Sequence, residues 1–487
     1  MVRICILTSL SFRQRTPSFS IAASNKSSTT EDAQHITILR PIKGFEPHLY
    51  ECLASVFNLD YPPESLSIYL CVPSSSDSAL PLLKRLLADF PGFDVKIFVE
   101  EVDPHRNINL GPNPKIRNMS RPYREAKSDI IWIIDSNVWI GKGAARRMAS
   151  TLCGYGEHGT KTVPHKLVHQ LPLVIDCARN ENPDLGNETS IYENETKFAK
   201  ALRVGGGRLE EMWMATSHAK FYSAINEIHI APCIVGKSNM FRRSHLQYLT
   251  SRHSPDSPGI DFFSHNICED QLIGHMLWWN QVPEEKAGEL WGKHALIAGD
   301  MAIQPVAMSV SEYVARRVRW LRVRKWTTTV ATVVEPGVES LLCSAYGSFA
   351  ITTLPWFHNT FGIPHTWVAF IIFWGASVFV WMAADWLVYV KLHSRGFVEV
   401  DSNMPSFALP PLGSRRRRLH EWVFAWIGRE LLALPIWVMA VWGSTIIWRS
   451  KSFRIGMDMK VHEVETEGNR TACRSQRKGS VRTKLKA

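Results

Sequence analysis

The sequence lacks the features that mark several common protein classes. Its nine cysteines are scattered without a CxxC pair, so neither a zinc site nor a disulfide framework is predicted. It contains no Walker-type phosphate loop and no pattern typical of a Ser/His/Asp triad. The first apolar run, residues 4–10, is too short to span a bilayer. These absences argue against a P-loop nucleotidase, a triad hydrolase and a disulfide-rich scaffold.

Positive charge is in excess and clustered. The 487 residues carry a formal net charge of +11, which fits an anionic partner such as a nucleotide, a nucleic acid or a membrane surface. Two basic clusters, 316–325 and 415–418, each lie beside an apolar stretch that is rich in tryptophan. This pattern favours membrane lipids and argues against nucleic acid.

The composition divides the chain into four parts. Residues 1–34 are expected to be a disordered or atypical N-terminus, because most of them are polar and rich in Ser and Thr. Residues 35–326 alternate predicted strands with helical patterns, which predicts βαβ units and an α/β fold. Residues 327–450 form a predicted membrane region with a basic cytosolic loop. Residues 451–487 are predicted to be a basic tail.

The α/β part has a regular order of predicted elements, interrupted twice. The predicted strands are 36–41, 66–72, 95–99, 130–134 and 167–175, and the predicted helices include 48–58, 80–90 and 115–127. The polar stretches 154–166 and 179–210 are predicted to be surface insertions.

The membrane region holds three apolar stretches of different character. Residues 366–390 are long enough to span a bilayer, whereas 430–448 are fewer and contain Pro435. Residues 327–356 include acidic residues and are expected to be partly interfacial. A third basic cluster lies at 449–454, and three simple crossings cannot place all three clusters on the cytosolic side. One of these stretches is therefore expected to be re-entrant or to lie in the interface.

Two acids follow predicted strands of the sheet. The run Ile-Ile-Trp-Ile-Ile at 130–134 reads as a strand buried on both faces, and it leads directly into Asp135. Asp77 follows the strand at 66–72. Ligands bind beyond the carboxyl ends of parallel strands, where Asp135 could bind a divalent cation that bridges to a nucleotide diphosphate. The alternative is that each acid merely ends its strand.

Three further polar residues have both a functional and a structural interpretation. Lys115 lies near a helix N-terminus and could bind a phosphate, or it could be a solvated loop lysine. His218 could contact a sugar or diphosphate, or it could be a hydrogen-bonded structural residue. Asp270 could be a general base, or it could be an acid that favours the first turn of a helix.

A basic helical pattern follows these residues. Arg316 and Arg319 share a helix face, and Trp320 gives that face an apolar anchor. Guanidinium groups suit a diphosphate, while a basic amphipathic helix also suits a lipid surface. Both interpretations can hold together.

Three acids occur in the order Asp77, Asp135 and Asp270, and the RxxRW motif at 316–320 follows them. This order resembles the D, D, D, (Q/R)xxRW pattern of family-2-type GT-A glycosyltransferases. Several short sequence segments narrow the resemblance to ceramide glucosyltransferases, especially the fungal ones. These segments are RPIKG, NLDYPPESLSIYLCV, GPNPKIRN, DIIWIIDSNVW, TSHAKFY, CEDQLIG, RRVRWLRVRKW and WRSKSFRIGMDMKVHE. They occur in the family order over residues 35–463.

The resemblance implies a GT-A domain, which is a Rossmann-like nucleotide-sugar-binding fold, followed by C-terminal transmembrane or interfacial helices. It implies transfer of glucose from UDP-glucose to the primary hydroxyl of ceramide with inversion, which gives β-glucosylceramide. It also implies Mg²⁺ or Mn²⁺ as the cofactor. The expected location is the Golgi or endoplasmic reticulum membrane, as a multi-pass protein whose catalytic domain faces the cytosol.

The resemblance also implies a role for each residue of this chain that matches a functional position of the family. Asp77 would contact the uridine, Asp135 the metal and diphosphate, and Asp270 would be the base. His218 would line the donor or acceptor pocket. The diphosphate would be held near the membrane by Arg316, Arg319 and Trp320.

Two other functions fit parts of the pattern. A processive family-2 polysaccharide synthase would share the motifs, but it usually has more flanking transmembrane helices. A catalytically inactive membrane scaffold would bind nucleotide-sugar or lipid without turning it over.

Overall fold

A computed structural model of the protein describes residues 33–104, 110–156, 160–178, 196–338, 340–411, 416–448 and 451–464. The predicted N-terminal segment 1–34 lies almost wholly outside these residues. So do Arg415 and the part of the predicted basic tail after residue 464.

The helices and strands agree closely with the sequence pattern in the first third of the chain. The strands are β1 Ile36–Pro41, β2 Leu66–Val72, β3 Asp94–Val99, β4 Ile130–Ile134, β5 Leu167–Asp176, β6 Ser238–Arg242, β7 Ala295–Val306, β8 Thr445–Trp448, β9 Lys451–Ile455 and β10 Val461–Glu463. The helices to the end of the α/β part are α1 Leu49–Ala54, α2 Leu80–Asp89, α3 Pro114–Arg124, α4 Ala144–Cys153, α5 Lys197–Val204, α6 Gly206–Trp213, α7 Ala219–Ile228, α8 Arg243–Ser251, α9 Glu269–Trp279, α10 Pro283–Lys286 and α11 Val310–Arg324. The remaining helices are α12 Thr329–Val334, α13 Ser340–Thr353, α14 Pro355–Phe361, α15 Trp367–Leu392 and α16 Leu419–Trp442.

Seven strands form one mixed sheet in the order β3-β2-β1-β4-β6-β5-β7. β1 pairs in parallel with both β2 and β4, while β6 is antiparallel to β4 and β5. Apolar side chains alternate between the two faces, so Trp132 and Ile134 of β4 pack in one core and Ile131 and Ile133 in the other. The predicted α/β class and the burial of β4 on both faces are confirmed.

Strand order reverses between β1 and β4. The chain leaves β1 toward β2 and β3 on one side and returns to β4 on the other. In α/β sheets, ligands bind beyond the carboxyl ends of the strands at such a reversal. Asp135 directly follows β4 and therefore lies at this point of the sheet.

Two predictions about polar segments need correction. The predicted insertion 179–210 is helical from Lys197 onward apart from Gly205, because α5 and α6 occupy this part, and Glu210 and Glu211 of α6 are buried. The start of the predicted basic tail forms β9 and β10, which complete a small antiparallel sheet with β8. This sheet packs beside the segment that precedes α9, where the Val461 amide donates to the His265 carbonyl at 2.8 Å. In both cases the segment contacts residues that lie far away along the chain.

The apolar helices differ from the sequence prediction in one respect. α15 matches the predicted span at 366–390, whereas α16 begins at Leu419, well before the predicted stretch 430–448, and continues through Pro435. Among the described residues, α15 and α16 are the helices long and apolar enough to cross a membrane.

A buried charge cluster joins these helices to the α/β part. Asp385 of α15 is fully buried, and its carboxylate forms an ion pair with Lys220 of α7 and accepts hydrogen bonds from Arg429 of α16 at 3.2 Å and from the Trp426 indole at 2.8 Å. Two cations from different parts of the fold therefore share this carboxylate, and Arg429 also pairs with Glu430.

We predict that Asp385→Ala destabilises the protein by about 3–5 kcal/mol, because it leaves Lys220 and Arg429 buried with too little counter-charge. Thermal unfolding of the detergent-solubilised protein measures the effect. The control is Asp256→Ala at an exposed position, where a change within about 0.5 kcal/mol is expected. Equal melting temperatures for the two variants would contradict the prediction.

Candidate active site

Asp135 lies between two buried lysines at the carboxyl edge of the sheet. Its Oδ1 is 2.9 Å from Lys115 Nζ and its Oδ2 is 2.9 Å from Lys237 Nζ. Burial alone would raise the pKa of Asp135, but the two ammonium groups offset this and hold the pKa below its usual value. The carboxylate is therefore ionised at neutral pH.

Lys115 reaches this point from the first turn of α3. Asn113 caps the helix by accepting hydrogen bonds from the amides of Lys115 and Ile116. The Lys115 ammonium also lies 3.1 Å from Glu269 Oε1. Burial would lower the pKa of Lys115, but Asp135 and Glu269 raise it overall. Of the two interpretations of Lys115, the solvated loop lysine is wrong, because the side chain is only 10% exposed.

Lys237 was not predicted from the sequence as a site residue. It precedes β6, and its carbonyl accepts from the Asp135 amide at 3.1 Å, so the antiparallel β4–β6 pairing places the two residues together. Burial lowers the pKa of Lys237, Asp135 opposes that effect, and the nearby Arg316 adds to it. Its neighbours in sequence predict only a turn and a short strand, so the sequence carries no local signal for this role.

Asp270 lies beside the same lysine cluster. A Cβ atom at Gly236 would lie 3.0 Å from Asp270 Oδ2 and 3.1 Å from Lys115 Nζ, so the missing side chain leaves space next to both groups. Burial and the neighbouring Glu269 raise the pKa of Asp270 to about 7, although Lys115 opposes them. A carboxylate with this pKa suits proton transfer near neutral pH.

Asp77 has a local structural role in the described structure. Its Oδ1 accepts from the Gly44 amide at 3.0 Å and from the Ala79 amide at 2.9 Å. Gly44 has φ of 67°, a conformation that favours glycine. These bonds connect the turns that follow β1 and β2. The predicted contact of Asp77 with uridine stays a prediction.

His218 closes a short π-helix, 214–218, between α6 and α7. Its ring stacks on Tyr222 with centroids 5.2 Å apart and lies 4.9 Å from Trp213. Burial, with Arg317 and Arg324 nearby, lowers the pKa of His218 to about 3. The imidazole is therefore neutral, and it can donate or accept a hydrogen bond with a polar ligand.

The RxxRW residues on α11 contact α6 as well as each other. Arg316 donates to Glu210 Oε1 at 2.8 Å and lies over the Trp320 ring at 4.8 Å. Trp320 packs edge-on against Trp213 at 5.8 Å. Arg319 is partly exposed on the same helix. Arg317, which the motif does not include, lies over Trp213 at 3.1 Å.

The donor atoms around Asp135 suit a hard divalent cation, with one obstacle. Carboxylate and amide oxygens of Asp135 and Asn137 are ligands that Mg²⁺ and Mn²⁺ accept. Both Asp135 oxygens bond ammonium groups, so an ion would displace Lys115 or Lys237. Within the described ranges no three His, Cys, Asp or Glu side chains converge on one ion position. Most ligands would therefore come from diphosphate and water.

Known proteins similar to this chain were found by sequence. The model of glycosyl transferase family 21 matches residues 2–178 and 195–461. A ceramide glucosyltransferase of Pyricularia oryzae is 48% identical over 90% of this chain and 88% of its own length. One of Gibberella zeae is 45% identical over 91% and 87%, and one of Candida albicans is 32% identical over 90% and 90%. The similarity extends over the α/β part and the C-terminal helices.

Solved structures show weaker likeness. The mannosyltransferase PcManGT from Pyrobaculum calidifontis, in complex with GDP-Man and Mn²⁺, has a TM-score of 0.35 and 12% identity, covering 91% of this chain and 95% of that one. Residues 1–349 of S. aureus TarS with UDP-GlcNAc give a TM-score of 0.33 and 12% identity, covering 89% and 99%.

Proposed function

The chain belongs to glycosyl transferase family 21, and on that premise we propose that it transfers glucose from UDP-glucose to the primary hydroxyl of ceramide with inversion. The observation that carries the proposal is the site itself, where two buried lysines and Asp270 meet at the strand-order reversal of the sheet. The three fungal relatives are all named for glucosylceramide synthesis. Neither a polysaccharide synthase nor an inactive scaffold gains support from them.

The lysines supply the positive charge that a nucleotide-sugar donor requires. Lys115 and Lys237 lie on either side of the Asp135 carboxylate, and Arg316 is near enough to Lys237 to lower its pKa. A diphosphate that enters between them would exchange the Asp135 oxygens for its own oxygens on the same ammonium groups. Charge that grows on UDP as it leaves is then stabilised by preorganised cations in a poorly hydrated site.

Asp270 is proposed as the general base. In a single displacement, the ceramide oxygen bonds to C1 of glucose as the bond from C1 to the UDP oxygen breaks. Asp270 takes the hydroxyl proton, and UDP leaves with the bonding electron pair. One base is sufficient, because inversion needs no covalent enzyme intermediate.

A divalent cation remains part of the proposal. Asp135 and Asn137 would hold it together with the diphosphate. When bound, it would add positive charge opposite the leaving group.

The acceptor is proposed to approach from the side of the apolar helices. A small cavity there is lined by Trp213, Arg317, Arg429 and Trp437, so it joins α6 and α11 of the α/β part to α16. His218 packs on Trp213 at the edge of this region. A lipid with a polar head and apolar tails would find both kinds of surface here. We propose that this side faces the cytosolic leaflet of the Golgi or endoplasmic reticulum.

The direct test supplies purified protein with ceramide and either UDP-glucose or UDP-galactose, and identifies the lipid product by mass spectrometry. We expect glucosylceramide from UDP-glucose. Asp270→Asn should reduce turnover by about 10²- to 10⁴-fold while UDP-glucose affinity changes little, since Asn keeps the size but cannot take the proton. Asp256→Asn at an exposed position is the matched control. Near-normal turnover of Asp270→Asn would reject the base assignment, and lack of any hexosylceramide from the native protein would reject the function.

The pH dependence tests the same carboxylate independently. Because the ionised form of Asp270 is the base and its pKa is raised to about 7, kcat/KM should rise with pH through that region and then level off. Glu269 contributes to the raised pKa, so Glu269→Gln should move the rise to lower pH. A profile that is flat near pH 7, or a rise that Glu269→Gln leaves in place, would contradict this role.

A further inference from the structure

α16 is long and apolar enough to cross a bilayer. Its 24 residues correspond to about 36 Å at about 1.5 Å per residue. Composition alone would make it a transmembrane span. Its contacts lead to a different conclusion.

Both ends of α16 bond to the α/β part. At its start, Glu421 lies 3.4 Å from Arg208 of α6. At its end, the Met439 carbonyl accepts from Arg322 at 2.7 Å and the Val441 carbonyl accepts from Lys325 at 3.3 Å. Arg322 belongs to α11 and Lys325 directly follows it, so these cations satisfy terminal carbonyls of α16 that have no partner within the helix.

The middle of α16 is also attached to the same part. The Arg429 guanidinium donates to the Thr216 hydroxyl of the π-helix and pairs with Asp385 of α15. Seven residues further along α16, Ile436 packs in a cluster with Leu209 of α6 and Tyr313 of α11. α16 therefore lies along the surface of the α/β part over most of its length.

The opposite side of α16 is an apolar face. Phe424 is 73% exposed, Leu431 62% and Trp442 85%, and Ile427 and Leu434 are exposed as well. The positions from Phe424 to Leu434 recur at intervals of three or four residues, and Trp442 lies eight residues after Leu434, so all five fall on one stripe along the helix. One face thus packs on protein and the other offers apolar side chains to its surroundings.

We propose that α16 does not cross the membrane but lies in its plane, with this apolar stripe in the lipid leaflet that faces the α/β part. If α16 crossed the bilayer, α6 and α11, which are bonded to it, would also have to lie in the hydrocarbon. α11 contains several arginines, and each would cost about 2.5–3.5 kcal/mol at the centre of a bilayer. An in-plane helix with one apolar face incurs none of this cost.

The other apolar helices agree with this arrangement. α13 and α15 run side by side, with the Ser344 and Ser377 hydroxyls 2.8 Å apart and the Trp374 indole donating to the Leu341 carbonyl at 3.0 Å. α15 returns to the α/β part, where Tyr389 donates to Glu211 at 2.6 Å. If α13 and α15 enter the membrane as a hairpin, the chain enters and leaves on one side, and an in-plane α16 would keep it on that side. All three basic groups then face the same side, as their charge requires.

Two tags test the proposal on the full chain in sealed microsomes. One glycosylation-acceptor tag is inserted at Gly396, in the turn between α15 and α16, and a second is placed after Ala487. An in-plane α16 puts both tags on the cytosolic side, unglycosylated and open to added protease. Tags on opposite sides would overturn the proposal. The inference does not depend on the proposed reaction, so inactive protein would leave this readout intact.

Depth measurement gives a second readout. A nitroxide is attached to a ketone-bearing residue introduced at Phe424 or at Leu434, so that native cysteines stay unlabelled, and the protein is placed in phosphatidylcholine vesicles. These positions lie about 15 Å apart along the helix axis. The proposal predicts similar depths just below the headgroups at both positions. A difference in depth approaching that separation would show that α16 crosses the bilayer.

Discussion

The Lys115 ammonium holds the active site together. It lies between the carboxylates of Asp135 and Glu269, which come from elements far apart in sequence, the end of β4 and the start of α9. Asn113 strengthens the same junction, because it caps α3 and donates to Glu269 Oε2 at 3.1 Å. Three acids, counting Asp270, can be close together here only because buried cations balance them. The same cations are what a diphosphate needs.

The parts of this arrangement that sequence could predict are the local ones. The continuous apolar run of β4 fixes a strand buried on both faces, and Asp135 follows it without a break, so its place at the sheet edge was predictable. Lys237 was not, because it approaches through an antiparallel strand inserted between β4 and β5, and that pairing leaves no mark on the neighbouring residues.

The charged segments show that sequence pattern also fails to predict which charged residues are buried. Glu210 and Glu211 look like surface residues, yet they are buried because arginines distant in sequence neutralise them, Arg316 at 2.8 Å and Arg417 at 2.8 Å. The basic clusters, interpreted as facing lipid, are in part structural for the same reason. The charge pattern did not predict which arginines bond to protein, and the side of the membrane that it indicates stays a prediction.

We propose that the donor diphosphate binds between Lys115 and Lys237 with its sugar toward Asp270. The most direct measurement is a cryo-electron microscopy structure of the protein in lipid nanodiscs with UDP-glucose bound. We predict diphosphate oxygens within about 3.5 Å of one or both lysine Nζ atoms and glucose C1 on the side of Asp270. A diphosphate bound away from both lysines, with the pairs of Lys115 and Lys237 to Asp135 intact, would contradict the account.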